Sequence, residues 1–98
     1  MNIEVKKGFT DVEIMVEGRL DTVTAPELEA CLKVQYDTIT ELVFDFSKLE
    51  YISSAGLRVL LGAQKVMNKI GTMKVKNVNP TVMEVFEITG FNDILNIE

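Results

Sequence analysis

The spacing of apolar residues changes period along this chain, and that change restricts the fold more than any single motif. In "NIEVKKG" (residues 2–8) and "DVEIMVEG" (11–18) apolar and polar residues alternate, the period of two that marks half-buried strands. "KGFTD" between them supplies Gly and a turn, so a hairpin places Ile3 and Val5 on one side and Val12, Ile14 and Val16 likewise on the second strand. The period then lengthens to that of a helix: Leu28, Cys31, Leu32 and Gln35 or Tyr36 form one apolar stripe. Thr24 as N-cap with Glu27 three residues on reads as a capping box, and Pro26 is tolerated in the first turn. "ITELVFDF" (39–46) is a β-branched and aromatic run suited to a central strand, and "SKLEYI" after it reads as a short connector. A second helix runs from the serines of "YISSAGLRVLLG" to about Ile70 and stops at Gly71, a C′ glycine. "TMKVKNV" alternates again, and "NPTVMEVFEITG" is a helix with Asn79 as N-cap, Pro80 at N1 and Gly90 as C′. The tail "FNDILNIE" supplies a last strand or a helical turn. The order is ββαβαβα plus a C-terminal tail. Strands separated by helices need right-handed crossovers, so the expected fold is α/β, a mixed sheet with helices covering at least one face.

Missing residue types narrow the function. The chain has 98 residues and no histidine, which removes Ser-His-Asp and Cys-His nucleophiles and Cys/His zinc sites. No phosphate-cradling glycine loop is present, so no nucleotide cofactor, and no metal, is expected. A formal charge of −5 argues against nucleic acid, whose binding depends on Lys and Arg. No apolar run reaches the roughly 20 residues of a membrane span, so no membrane insertion is expected. A lone Cys31 in an apolar stripe is read as an inert thiol, and with no signal core at the N-terminus it suits the cytoplasm. One domain over residues 1–98 and a non-enzymatic role follow as expectations.

At about 100° per residue, and with Leu57 as zero, Val59, Leu60, Ala63, Val66, Met67 and Ile70 fall between about 180° and 300°, the core face of the second helix. Gly56 lies in the same arc and lets the helix start press onto the sheet. Arg58, Lys65 and Lys69 face solvent. Leu57 and Leu61 lie on the flank, and Ser54, at about 60°, stands directly above them. A helix N-terminus tolerates a phosphate, and phosphoserine adds about −1.5 to −2 charge beside those leucines. Ser54 is therefore either a plain helix-start serine or a charge switch on a binding surface.

"GRLDTVTAPEL", "LVFDFSKLEYISSAGLRVLLGAQK" and "VKNVNPTVMEVFEITGF" together resemble the STAS domain family along nearly the whole chain, most closely the stand-alone bacterial anti-sigma factor antagonists. The resemblance implies a mixed β-sheet of four to five strands with helices packed mainly on one face. It also implies a partner switch. The unphosphorylated domain binds an anti-sigma factor that is also a serine kinase of the GHKL type, which frees a sigma factor. Phosphorylation breaks the complex, and a PP2C-type phosphatase restores it. Against the family motif Asp-Ser-(Ser/Thr)-Gly-Leu, Ser53 takes the acidic position, Ser54 the phosphoacceptor, Ala55 the second hydroxyl and Gly56 the glycine, with Ser53 an alternative acceptor. Partner contacts are then expected from Asp21, Thr22, Ser53, Ser54, Gly56, Leu57, Arg58 and Leu61. Asp21 and Asp45 are expected to rim Ser54, Asp21 by tying down loop amides. Ser53 in place of an acidic residue leaves a second reading open, a phosphorylation-independent binding subunit on a transporter ATPase or a signalling scaffold. A phosphopantetheine-type carrier, another small acidic domain with Ser at a helix start, is contradicted by the alternating strand segments.

Overall fold

A computed structural model describes residues 1–98. β1 (Asn2–Lys7) and β2 (Asp11–Leu20) form the antiparallel hairpin, with Ile3 opposite Val16 and Val5 opposite Ile14. At ten residues, β2 is long enough to pair with two strands in succession along its other edge. Asp11–Met15 runs parallel to β3 (Glu41–Asp45), and Gly18–Leu20 runs parallel to β4 (Leu49–Ile52). β5 (Thr72–Lys76) adds parallel to β3, so the sheet order is β1-β2-β3-β5 with β4 beside the second half of β2.

β4 is the element that sequence periodicity misses, and it corrects the expected connector. Its four residues are buried only at the ends, at Leu49 and Ile52, a spacing of three that breaks the strand period of two. The pairing register shifts at Gly18/Arg19, which locally breaks the alternation.

Three helices follow their strands: α1 (Ala25–Gln35), α2 (Ser54–Ile70) and α3 (Pro80–Thr89). Val12, Ile14 and Val16 of β2, Leu42 and Phe44 of β3, and Met73 and Val75 of β5 are buried. They join Leu28, Leu60 and Phe86 of the helices in one cluster. The alternate sheet residues Glu13, Glu17, Val43, Asp45, Lys74 and Lys76 are half-buried. The helices therefore pack on one face, and the other carries charge, including a Lys76–Glu13 ion pair at 2.8 Å.

The α3 ends match expectation. Asn79 Oδ1 accepts from the Val82 amide at 2.8 Å, its Nδ2 donates to the Leu49 carbonyl at 2.6 Å, and Gly90 is left-handed at φ 80°. After a 3₁₀ turn (Phe91–Asp93), Ile97 bridges to Val75 on the outer edge of β5. The tail thus contains both a helical turn and a strand-like contact. Gly71 differs from the expected left-handed cap. Its φ of 170° is extended, and glycine is needed because a Cβ there would overlap the Thr40 carbonyl.

Two glycines of α2 predict opposite effects. A Cβ on Gly56 would lie 2.8 Å from both Ile52 Cγ1 and Leu20 Cγ, whereas nothing lies within 4 Å of one on Gly62. Gly56→Ala is expected to destabilise by about 1–3 kcal/mol through overpacking. Gly62→Ala is expected to stabilise by about 0.5–1 kcal/mol through helix propensity. Urea unfolding of the two variants checks both signs.

Candidate functional site

The C-terminal ends of β2 and β4 lie side by side, Leu20 opposite Ile52, and each strand leads directly into a helix. The Ser53 amide donates to the Leu20 carbonyl at 2.9 Å and ties the two exits together. This geometry gathers Asp21, Thr22, Ser53, Ser54, Gly56 and Arg58 at one end of the sheet.

In the β2–α1 turn, Asp21 Oδ1 accepts from the amides of Val23 (3.0 Å) and Thr24 (3.1 Å). The Thr24 hydroxyl donates to the Arg19 carbonyl at 2.8 Å and accepts from the Asp21 amide at 2.9 Å. Asp21 therefore ties down loop amides, as its side-chain chemistry suggests. The capping box does not form: Thr24 already has helical backbone angles, and its hydroxyl is consumed inside the turn. The Thr24 amide is the main influence holding the Asp21 carboxyl below the usual aspartate range. Burial opposes it, while the Val23 amide, the Thr24 hydroxyl and Arg19 add to it. The Arg19 guanidinium lies 3.7 Å from Asp21 Oδ2 and stacks 4.1 Å over the Tyr51 ring.

At the start of α2, Ser53 is extended (φ −100°, ψ 177°) and occupies the N-cap position, but its Oγ is buried and makes no hydrogen bond. Ser54 is the first helical residue and is exposed. The first bond of the helical ladder runs from the Leu57 amide to the Ser53 carbonyl at 2.9 Å. The amides of Ser54, Ala55 and Gly56 precede that ladder and carry the positive end of the helix dipole. Beneath them, Gly56 is seated on Leu20 and Ile52.

The expected surface needs three corrections. Leu57 is only 6% exposed, because the buried arc of α2 extends from Val59 through Leu60 to Leu57 and takes in the flank. Only Leu61 of the two leucines is half-exposed, next to exposed Arg58. Ile70, expected in the core, is 39% exposed at the end of α2. Asp45 does not join Asp21 around Ser54. It pairs in register with Met15, six residues and roughly 20 Å before Asp21 along β2. Burial would raise the Asp45 pKa, but bonds from the Ser47 amide (2.9 Å) and Asn77 Nδ2 (3.1 Å) bring it below the usual range.

Two features went unread in the sequence. Val23 is 86% exposed at the tip of the Asp21 turn. Beside it a groove between the helix starts is lined by Thr22, Ala25, Pro26 and Glu29 on one side and Ala55, Arg58 and Val59 on the other. The amides of Val23 and Thr24 both turn in to Asp21 Oδ1, and the Val23 side chain is left at the tip of that turn. Cys31 is half-buried, and burial followed by Glu27 pushes its thiol pKa up, so it stays protonated and inert.

Two measurements check this geometry. With its folded pKa below the unfolded one, Asp21 stabilises the turn above the unfolded pKa, and that support is lost as pH falls through the folded pKa. The Val23 and Thr24 amide resonances are therefore expected to titrate with a midpoint below the roughly 3.9 of a free aspartate. Because Ser53 Oγ caps nothing, Ser53→Ala should cost less than about 0.5 kcal/mol in urea unfolding, against about 1 kcal/mol or more for Asn79→Ala.

A family model described as "STAS domain" matches residues 1–98. The anti-sigma-B factor antagonist of Listeria monocytogenes is 33% identical over 101 residues, covering 100% of this chain and 89% of that protein. The anti-sigma-B factor antagonist of Bacillus subtilis (strain 168) is 30% identical over 98 residues, covering 99% and 90% respectively. The crystal structure of an anti-sigma factor antagonist from Mycobacterium paratuberculosis superposes with a TM-score of 0.89 at 26% identity, covering 98% of this chain and 83% of that one.

Proposed function

This chain belongs to the STAS domain family, and we propose that it is an anti-sigma factor antagonist that works by partner switching. In its unphosphorylated form it binds an anti-sigma factor with GHKL-type serine kinase activity and so releases a sigma factor. The kinase phosphorylates Ser54, the complex separates, and a PP2C-type phosphatase returns the protein to its binding form. The protein itself is a binding partner without catalytic chemistry, and its place is the cytoplasm. No helix is long and apolar enough to cross a membrane.

The observation that carries this reading is the contrast between the two serines. Ser54 is exposed at the first position of α2, whereas Ser53 Oγ is buried. A kinase needs the hydroxyl in its own active site, which supports Ser54 over Ser53 as the acceptor. The helix start stabilises a phosphate there, so the modification changes the surface and leaves the fold standing. The new charge of about −1.5 to −2 stands at the first residue of α2, one turn before Arg58, which lines the groove between α1 and α2. It repels an acidic partner surface and makes an apolar one costly to desolvate. Asp21 serves the same surface indirectly, by fixing the loop that presents Thr22 and Val23.

The cognate kinase and ATP should add one phosphate to the wild type and to Ser53→Ala, read by intact mass, and none to Ser54→Ala. Ser54→Glu should weaken kinase binding by at least about tenfold, or about 1.4 kcal/mol. Undiminished phosphorylation of Ser54→Ala would sink the assignment. Ser53, where the family motif carries an acidic residue, favours one second reading, phosphorylation-independent docking onto a transporter ATPase or a signalling scaffold. Recovery of such an ATPase with no kinase in a pull-down would replace the switch with that role.

A further inference from the structure

The two ends of the β1-β2-β3-β5 order are not alike. β5 is covered on its outer side, where the Val75 amide donates to the Asn96 carbonyl and the Glu98 amide donates to the Val75 carbonyl, both at 2.9 Å. β1 has no neighbour beyond it, and most of its residues are exposed. The hairpin bond from the Gly8 amide to the Asp11 carbonyl, 2.8 Å, extends the β1–β2 register by one step. Hydrogen-bonded and non-bonded pairs alternate along an antiparallel ladder. Asn2, Glu4 and Lys6 therefore turn their backbone groups toward β2, and Ile3, Val5 and Lys7 turn theirs outward.

We propose that this edge is a self-association surface, on which a second copy of the chain pairs its own β1 antiparallel with Val5 opposite the partner's Val5. A two-fold interface between identical edges must be antiparallel, and only the outward residues can bond across it. Three registers that overlap most of the strand meet that condition. With Val5 opposite Ile3 of the partner subunit, Glu4 faces Glu4 of the partner subunit. With Val5 opposite the partner's Lys7, Lys6 faces the partner's Lys6. Both set like charges directly opposite each other, which is destabilising. The register centred on Val5 instead sets Glu4 against the partner's Lys6, and Lys6 against the partner's Glu4. These two ion pairs fall at the non-bonded positions, where Cα atoms approach to about 4.5 Å.

Both charges are available for that role. Neither Glu4 nor Lys6 is in an ion pair within the chain, and Glu13, which lies opposite Lys6 on β2, is held by Lys76 at 2.8 Å. Val5 is 40% exposed at the rim of the helix-covered side and gains cover from its counterpart. Lysines on an edge strand ordinarily guard against pairing. Here a glutamate two residues away turns that guard into a selector of one register. A strand-on-strand contact of this length is small, so the association is weak and reversible. It uses none of the residues around Ser54 and stands apart from the proposed switch.

The test is sedimentation equilibrium of the whole chain at concentrations up to about 1 mM, at low salt. The wild type should show a concentration-dependent monomer–dimer equilibrium. Glu4→Lys alone and Lys6→Glu alone should each lower the association constant at least about tenfold. An equimolar mixture of the two single variants should restore it, because each then faces its opposite charge twice, and the double variant Glu4→Lys/Lys6→Glu should restore it within one chain. Val5→Pro, whose lost N–H points away from β2, should abolish dimerisation without loss of the folded circular dichroism spectrum. A wild type that remains monomeric throughout, or single variants that associate as well as the wild type, would overturn the proposal.

Discussion

Everything in this molecule depends on one long strand holding two others end to end. β2 pairs first with β3 and then with β4 along a single edge. The short gap between those two strands is absorbed by the turn at Ser47, whose amide is fixed by Asp45. Without that double pairing, the start of α2 would have no fixed relation to the start of α1. With it, the two helices leave the sheet side by side, and Gly56 allows α2 to sit directly on Leu20 and Ile52. The end of the sheet that carries Asp21 and Ser54 is thus a by-product of sheet register.

The two helix starts are finished differently, and the difference suits a switch. At α1 an aspartate and a threonine satisfy the turn internally and leave little spare hydrogen-bonding capacity. At α2 the residue in the N-cap position keeps its hydroxyl buried and idle, so the first-turn amides are not met by a cap. One side of the groove is therefore rigid and self-contained. The other side keeps positive dipole potential in reserve, beside the exposed hydroxyl of Ser54.

Most of the architecture was legible because each long element repeats its period several times. β1, β2, α1, α2 and α3 each offer at least two full repeats, and Asn79 and Gly90 mark their termini by local chemistry alone. β4 was not legible, since four residues with a buried–exposed–exposed–buried pattern contain no repeat to read. The exposure of Arg58 followed from helical geometry. Leu57 did not, because a wheel assigns angle but not how much of the circumference the neighbours cover. Asp45 was misplaced for a related reason: proximity along a strand end in sequence says nothing about which end of the partner strand it meets. Val23 escaped because its exposure comes with the turn that Asp21 closes on the Val23 and Thr24 amides and not from any apolar pattern.

The docking of the tail on β5 has a consequence for how copies of this protein can accumulate. A sheet with both edges bare can recruit strands without limit, which is the geometry of a fibre. Here residues 96–98 bond the outer border of β5 at Val75, the Asn79 side chain takes up the Leu49 carbonyl of the four-residue β4, and β1 is left as the longest bare border. Strand addition at β1 is consumed at the first encounter, so growth along that border stops at a pair.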